Sequence, residues 1–113
     1  MIELDWTMPI DVSDHARQRC REWLGWDDPQ DIRGEIRSAI LEGRVSEHLP
    51  NWTGRRQHER RPGYLYLWDT EATRCWIVYA RVDEIFVATI ALEHELQREI
   101  AAGRRLRTGM AGR

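Results

Sequence analysis

The sequence predicts an α+β fold, and three observations carry that expectation. Residues 14–42 place apolar side chains at helical spacing between capping and stopping residues, residues 64–92 switch to β-rich runs broken by short polar turns, and residues 93–103 return to helical spacing. A chain of 113 residues with 42% apolar and 32% charged residues has the size for one hydrophobic core. The expected architecture is two N-terminal helices packed on a twisted antiparallel sheet of about four strands, with a C-terminal helix. One domain is expected over residues 1–103, followed by a basic tail at 104–113.

Each element has its own signal. "MPIDVS" reads as a short extended segment, after which Ser13 is a good N-cap for "DHARQRCREWLG", stopped by Gly25. Ala16, Cys20, Trp23 and Leu24 share one face of that helix. The second helix begins where Asp28 can cap and Pro29 can occupy the first turn, and it ends at Gly43, with Ile32, Ile36, Ala39 and Ile40 as its buried stripe. "VSEHL" is a candidate short strand. "NWTGRRQHERRPG" is polar and marked by glycine and proline, hence a loop. "YLYLW", "RCWIVYARV" and "IFVATIAL", joined by "DTEAT" and "DE", have the spacing of an antiparallel meander. "EHELQREIAAG" is helical to Gly103.

Strand register follows from turn length and pleat. Pairing Val82 with Ile85 across "DE" puts Trp76, Val78, Ala80 and Val82 on one face beside Ile85, Val87, Thr89 and Ala91. The opposite face then holds Cys75, Ile77, Tyr79 and Arg81 beside Phe86, Ala88, Ile90 and Leu92. A four-residue loop at 70–73 adds Leu65 and Leu67 to the first face and Tyr64, Tyr66 and Trp68 to the second. The first face is the expected core beneath the helices. The second is either an open amphipathic surface or is covered by the C-terminal helix through Leu96 and Ile100.

Charge is patterned along the chain. Residues 1–35 carry nine acids and four arginines, 36–61 six arginines and three acids, 62–95 six acids and two arginines, and 96–113 five arginines and one acid. All seventeen basic residues are arginine, whose planar fork suits phosphate and carboxylate alike. Neither a basic-then-apolar leader nor an apolar run of spanning length is visible, so a cytoplasmic protein without a membrane partner is expected. Cys20 and Cys75 read as buried small hydrophobes. The histidines and cysteines have no paired ligand spacing and no phosphate-binding glycine motif is present, so no metal and no cofactor are expected.

The element order, together with "VSDHARQRCRE", "IRSAILEGRV" and a hairpin ending "VATIAL", resembles small plasmid- and phage-borne domains related to the RelE and BrnT toxins, within the barnase/EndoU/colicin/RelE group of ribonuclease folds. The resemblance spans about residues 10–92 and matches His15, Arg19 and Thr89. It implies two helices on a twisted antiparallel sheet and a toxin-like, metal-independent endoribonuclease of a toxin–antitoxin or phage system.

Such cleavage needs a base for the 2′-hydroxyl, an acid for the leaving oxygen and a cation for the phosphorane. His15 and His58 are the acid–base candidates and Arg19 the motif cation. Arg55, Arg56, Arg60 and Arg61, with Arg81, would hold phosphates, while Tyr64, Tyr66 or Tyr79 would stack a base or donate a proton. Each has a structural competitor: His15 as a hydrogen-bonding residue of a first helical turn, Arg19 as the ion-pair partner of Glu22 or Glu35, the loop arginines as a solvated surface. The alternative function is a non-catalytic phage- or plasmid-encoded module that binds and regulates a host protein, with Trp6, Trp26 and Trp52 at termini or loops as contacts. The expected partner is RNA or an acidic protein, such as an antitoxin or host factor.

Overall fold

A computed structural model describes residues 4–54 and 63–103 of the chain. Its elements run β1 (Ile10–Val12), α1 (Asp14–Leu24), α2 (Pro29–Leu41), β2 (Val45–Ser46), a single 3-10 turn (Asn51–Thr53), β3 (Tyr64–Trp68), β4 (Arg74–Ala80), β5 (Ile85–Leu92) and α3 (His94–Ala101). The helix boundaries follow from their caps. Ser13 Oγ accepts the Ala16 amide at 3.0 Å, Gly25 closes α1 in the left-handed region at φ 72°, and Asp28 Oδ1 accepts the Gln30 amide at 3.0 Å above Pro29. The tail at 104–113 lies outside the described residues.

The sheet corrects the expected architecture in two respects. It has five strands in the order β1-β5-β4-β3-β2, and it is mixed rather than antiparallel, because β1 lies parallel to β5 with Ile10 opposite Ile85 and Val12 opposite Val87. Three residues are too few to announce a strand by period, so the extended "MPIDVS" gave no hint of its partner. β2 is also shorter than expected. Only Val45 and Ser46 pair, with Leu67 and Tyr66.

Between β3 and β4 the register is the one that a four-residue loop dictates, Leu65 opposite Val78 and Leu67 opposite Trp76. Asp69 builds that loop: its buried carboxylate accepts the amides of Thr73 and Arg74, each at 2.8 Å. Between β4 and β5 the turn is two residues longer than expected, with Ala80 opposite Ile85, which leaves Val82 in the turn and fully exposed instead of on the core face and preserves the face of every paired residue up to Val87. A bulge at Ala88 then reverses the remainder. Thr89 sits opposite Ile77 and Ile90 opposite Trp76, so Ile90 and Leu92 turn into the helix-covered face and Thr89 and Ala91 turn away from it.

That inner face forms the core. Leu65, Leu67, Trp76, Val78, Ile85, Val87, Ile90 and Leu92 pack with Ile10 and Val12 of β1, Ala16 and Cys20 of α1, and Ile32, Ile36 and Ala39 of α2. Ile40 is half-buried against the same cluster. Leu96 and Ile100 of α3 join it as well. Of the two arrangements left open for the C-terminal helix, its apolar residues therefore serve the inner face. No helix among the described residues is long and apolar enough to cross a membrane.

Candidate functional site

The outer face of the sheet is ordered in three rows across the strands. Trp68, Cys75 and Ala91 form one, Tyr66, Ile77 and Thr89 the next, and Tyr64, Tyr79, Phe86 and Asp11 the last. The chain leaving β2 crosses the first two, where Leu49 and Trp52 pack on Tyr66, Cys75 and Ala91. Its exit is close to α3: a Cβ on Gly54, at φ 74°, would lie 2.8 Å from His94 Nδ1. Among the described residues the last row is the open one: Asp11 is exposed and Tyr79 is 40% exposed.

In that open row the side chains are paired. The rings of Tyr64 and Tyr79 meet edge to face with centroids 5.4 Å apart, and the Arg81 guanidinium lies 4.4 Å above the Phe86 ring. Arg81 also pairs with Glu84 across the hairpin. Gly63 tightens the entry to β3, since at φ 87° it has no side chain and an added Cβ would stand 3.0 Å from the Tyr79 ring. Asp11 completes the row at the sheet edge, exposed and with no side-chain partner among the described residues. Thr89, in the neighbouring row, has a buried hydroxyl without a hydrogen-bond partner there.

The sequence-predicted site residues divide among three places. Tyr64, Tyr79 and Arg81 come together as above, whereas Tyr66 is buried under Leu49 and Trp52. His15 is exposed in the first turn of α1, and Arg19, one turn on, lies 4.7 Å above the Trp23 ring rather than against Glu22 or Glu35. α1 packs into the inner-face cluster through Ala16 and Cys20, so His15 and Arg19 belong to a different element from the aromatic row. Arg55, Arg56, His58, Arg60 and Arg61 lie outside the described residues. Of the loop tryptophans, Trp6 is 47% exposed, while Trp26 and Trp52 are packed against the core clusters.

A second polar cluster escaped the sequence reading. Glu35 on α2 receives Arg74 Nε at 2.9 Å and Nη2 at 2.8 Å, and also the Trp76 indole Nε1 at 2.7 Å. Arg74 further faces Asp69 at 3.6 Å and stacks on Trp26 at 4.9 Å. Burial pushes the Arg74 guanidinium down, but the bond to Glu35 and the charges of Glu35, Asp69 and Glu71 outweigh it and raise it. The cluster walls a cleft of about 610 Å³ with Asp31, Ser38, Glu42 and Arg44 on its rim. Its internal pairing marks it as a fastener between helix and sheet. Nothing in the spacing of Glu35 and Arg74, 39 positions apart, signals the contact, although an arginine opening an apolar strand is itself unusual.

The described residues contain no group of three histidine, cysteine or acidic side chains arranged to hold a metal ion. No protein-family model, curated protein or solved structure matches the chain.

Proposed function

We propose that this chain is a binding module for single-stranded RNA, and that the strand lies across the open row of the outer face. One observation carries the reading: Tyr64 and Tyr79 in edge contact, beside a guanidinium stacked on Phe86, on three adjacent strands and with one aromatic already 40% exposed. Bases take aromatic faces and guanidinium planes as stacking partners whatever their sequence, while arginines neutralise the phosphates between them. In the sequence, Arg55, Arg56, Arg60 and Arg61 precede Gly63 and β3, so the chain carries such arginines within nine positions of Tyr64.

Toxin-like cleavage is a separate proposal that rests on the resemblance and on His15, Arg19 and His58. A general acid or base acts from hydrogen-bonding distance of the proton it moves, about 2.6–3.2 Å. Arg19 is occupied by Trp23, and α1 serves the inner-face core, so the geometry favours binding over cleavage. Growth inhibition on expression and cleavage of a labelled RNA decide between them. The binding module predicts neither, together with RNA affinity that falls by roughly 0.7 log unit per phosphate contact per log unit of salt. Cleavage abolished by His15→Ala would establish the enzyme instead.

Protein recognition is favoured by one observation of its own. A groove of about 580 Å³ beside β2 is lined by Leu49, Pro50, Trp52 and Trp68, and tryptophan is enriched where proteins meet. Binding to a protein partner without any RNA affinity would replace the RNA reading.

A further inference from the structure

Asp11 is out of place on a surface that receives phosphates. It is exposed, it stands opposite Phe86 in the parallel β1–β5 register, and no described residue hydrogen-bonds or ion-pairs with its carboxylate. Ile10 and Val12 on either side point into the core. The pleat therefore fixes Asp11 on the outer face, at the end of the row that runs Tyr64, Tyr79, Phe86. A bare carboxylate there repels a phosphate backbone and attracts only hydrogen-bond donors.

Resting on the RNA reading above, we infer that Asp11 reads the base stacked on the Arg81–Phe86 pair and selects guanine. The chemistry of the bases makes that choice. Guanine presents two adjacent donors, N1–H and the N2 amino group, that meet both oxygens of one carboxylate side by side. Adenine and cytosine each present an amino group next to an unprotonated ring nitrogen, whose lone pair opposes the second oxygen. Uracil presents one N–H between two carbonyls. A carboxylate at the edge of a stacking platform thus pairs bidentately with guanine alone. Arg81 and Phe86 supply the platform: the guanidinium lies 4.4 Å above the ring, and the Arg81 side chain, although paired with Glu84, is 45% exposed and so within reach of a base.

The competing role for Asp11 is that of a solvated charge which keeps edge strand β1 from pairing with another chain. The two roles separate in one experiment on the full chain. Affinity is measured by fluorescence anisotropy for a short oligouridylate and for the same oligomer carrying a single guanosine, adenosine or cytidine. The inference predicts that the guanosine oligomer binds about tenfold or more tighter than the other three, the span expected of a bidentate base contact. Asp11→Ala should bring all four to a common affinity, at or above that of the wild-type chain for oligouridylate because the repulsion of the phosphates goes with the carboxylate. Asp11→Asn should abolish the guanosine preference in favour of adenosine and cytidine, whose donor-beside-acceptor edge matches an amide, and Phe86→Leu should weaken all four together. Equal affinity of the wild-type chain for all four oligomers would overturn the guanine inference and leave the RNA reading standing. Guanosine preference that survives in both Asp11 variants would assign the readout to another group. Absence of binding to any of them would overturn both.

Discussion

Ser13 Oγ donates to the Ala88 carbonyl at 2.8 Å while accepting the Ala16 amide at 3.0 Å. One hydroxyl thus caps α1 and binds the carbonyl of Ala88, the residue left without a partner in the β4–β5 register. The bulge decides which of Thr89, Ile90, Ala91 and Leu92 reach the core, so a helix cap and a sheet register are held by the same atom.

Ser13→Ala is expected to cost about 2–3 kcal/mol, above the roughly 1 kcal/mol of an ordinary N-cap, because the Ala88 carbonyl is left without its partner. Denaturant unfolding measures it. Ser13→Thr should retain most of the stability, and a loss no larger than an ordinary cap would show that the bulge holds itself.

Glu35 accepts from both Arg74 and Trp76. Glu35→Ala should therefore destabilise by roughly 2–4 kcal/mol, since it leaves a buried indole N–H unpaired and a half-buried guanidinium with only the longer contact to Asp69. Glu35→Gln keeps an acceptor for the indole and should lose about half as much. Equal losses in the two variants would mean that the indole bond contributes nothing.

Core substitutions should follow burial along α2. Ile36 is fully buried and Ile40 only partly, so Ile36→Ala should cost about 2–5 kcal/mol and Ile40→Ala visibly less. Thermal melts that rank them the other way would refute the packing of α2.

Thiol reactivity should be silent in the native state. Burial pushes the Cys20 thiol up to about 12, with the Glu35 charge adding to it and Arg74 opposing, and Cys75 is equally buried. Alkylation near neutral pH should modify both only at the rate of global unfolding. Rapid native labelling of Cys20 would contradict its place in the core.

Acid should loosen α3 first at its cap. Glu93 receives the amides of Glu95 and Leu96 at 2.9 and 3.0 Å, and those bonds hold its carboxyl below the ordinary 4.5. A folded value below the unfolded one means that the cap contributes above about pH 4.5 and is lost as pH falls through the lowered value. Protection of the Glu95 and Leu96 amides, measured against their intrinsic exchange rates, should fall over that range. In Glu93→Gln that pH dependence should vanish.

How far the sequence reached can be judged residue by residue. Caps at Ser13, Gly25 and Asp28 were legible because each is a local rule of one or two residues. The β3–β4 register was legible because loop length and pleat parity determine it. The bulge was not, being a backbone irregularity without a residue signature, though one sign was present. Strict alternation after Val87 spends core positions on Thr89 and Ala91, whereas one extra residue at Ala88 gives Ile85, Val87, Ile90 and Leu92 as the inward set. For the candidate site, Tyr64 and Tyr79 were placed correctly on one face. Phe86 was placed on that face as well, opposite Arg81, and the longer turn brings it opposite Tyr79 instead. Asp11 was not recognised as their neighbour, since β1 is too short to read and its parallel partner Phe86 lies 75 positions away. The Glu35–Arg74 contact depends on how α2 lies over the sheet, which no local pattern encodes.

The most direct test of the account is the affinity of a short labelled single-stranded RNA for the wild-type chain and for Tyr79→Ala, Phe86→Ala and the double variant, at one fixed salt concentration. Stacking contributes about 1–3 kcal/mol per base by alanine substitution, so each single variant should bind roughly 5- to 150-fold more weakly, the double variant weaker still, and all should melt as cooperatively as the wild type. Unchanged affinity in the double variant would contradict the outer face as the RNA surface.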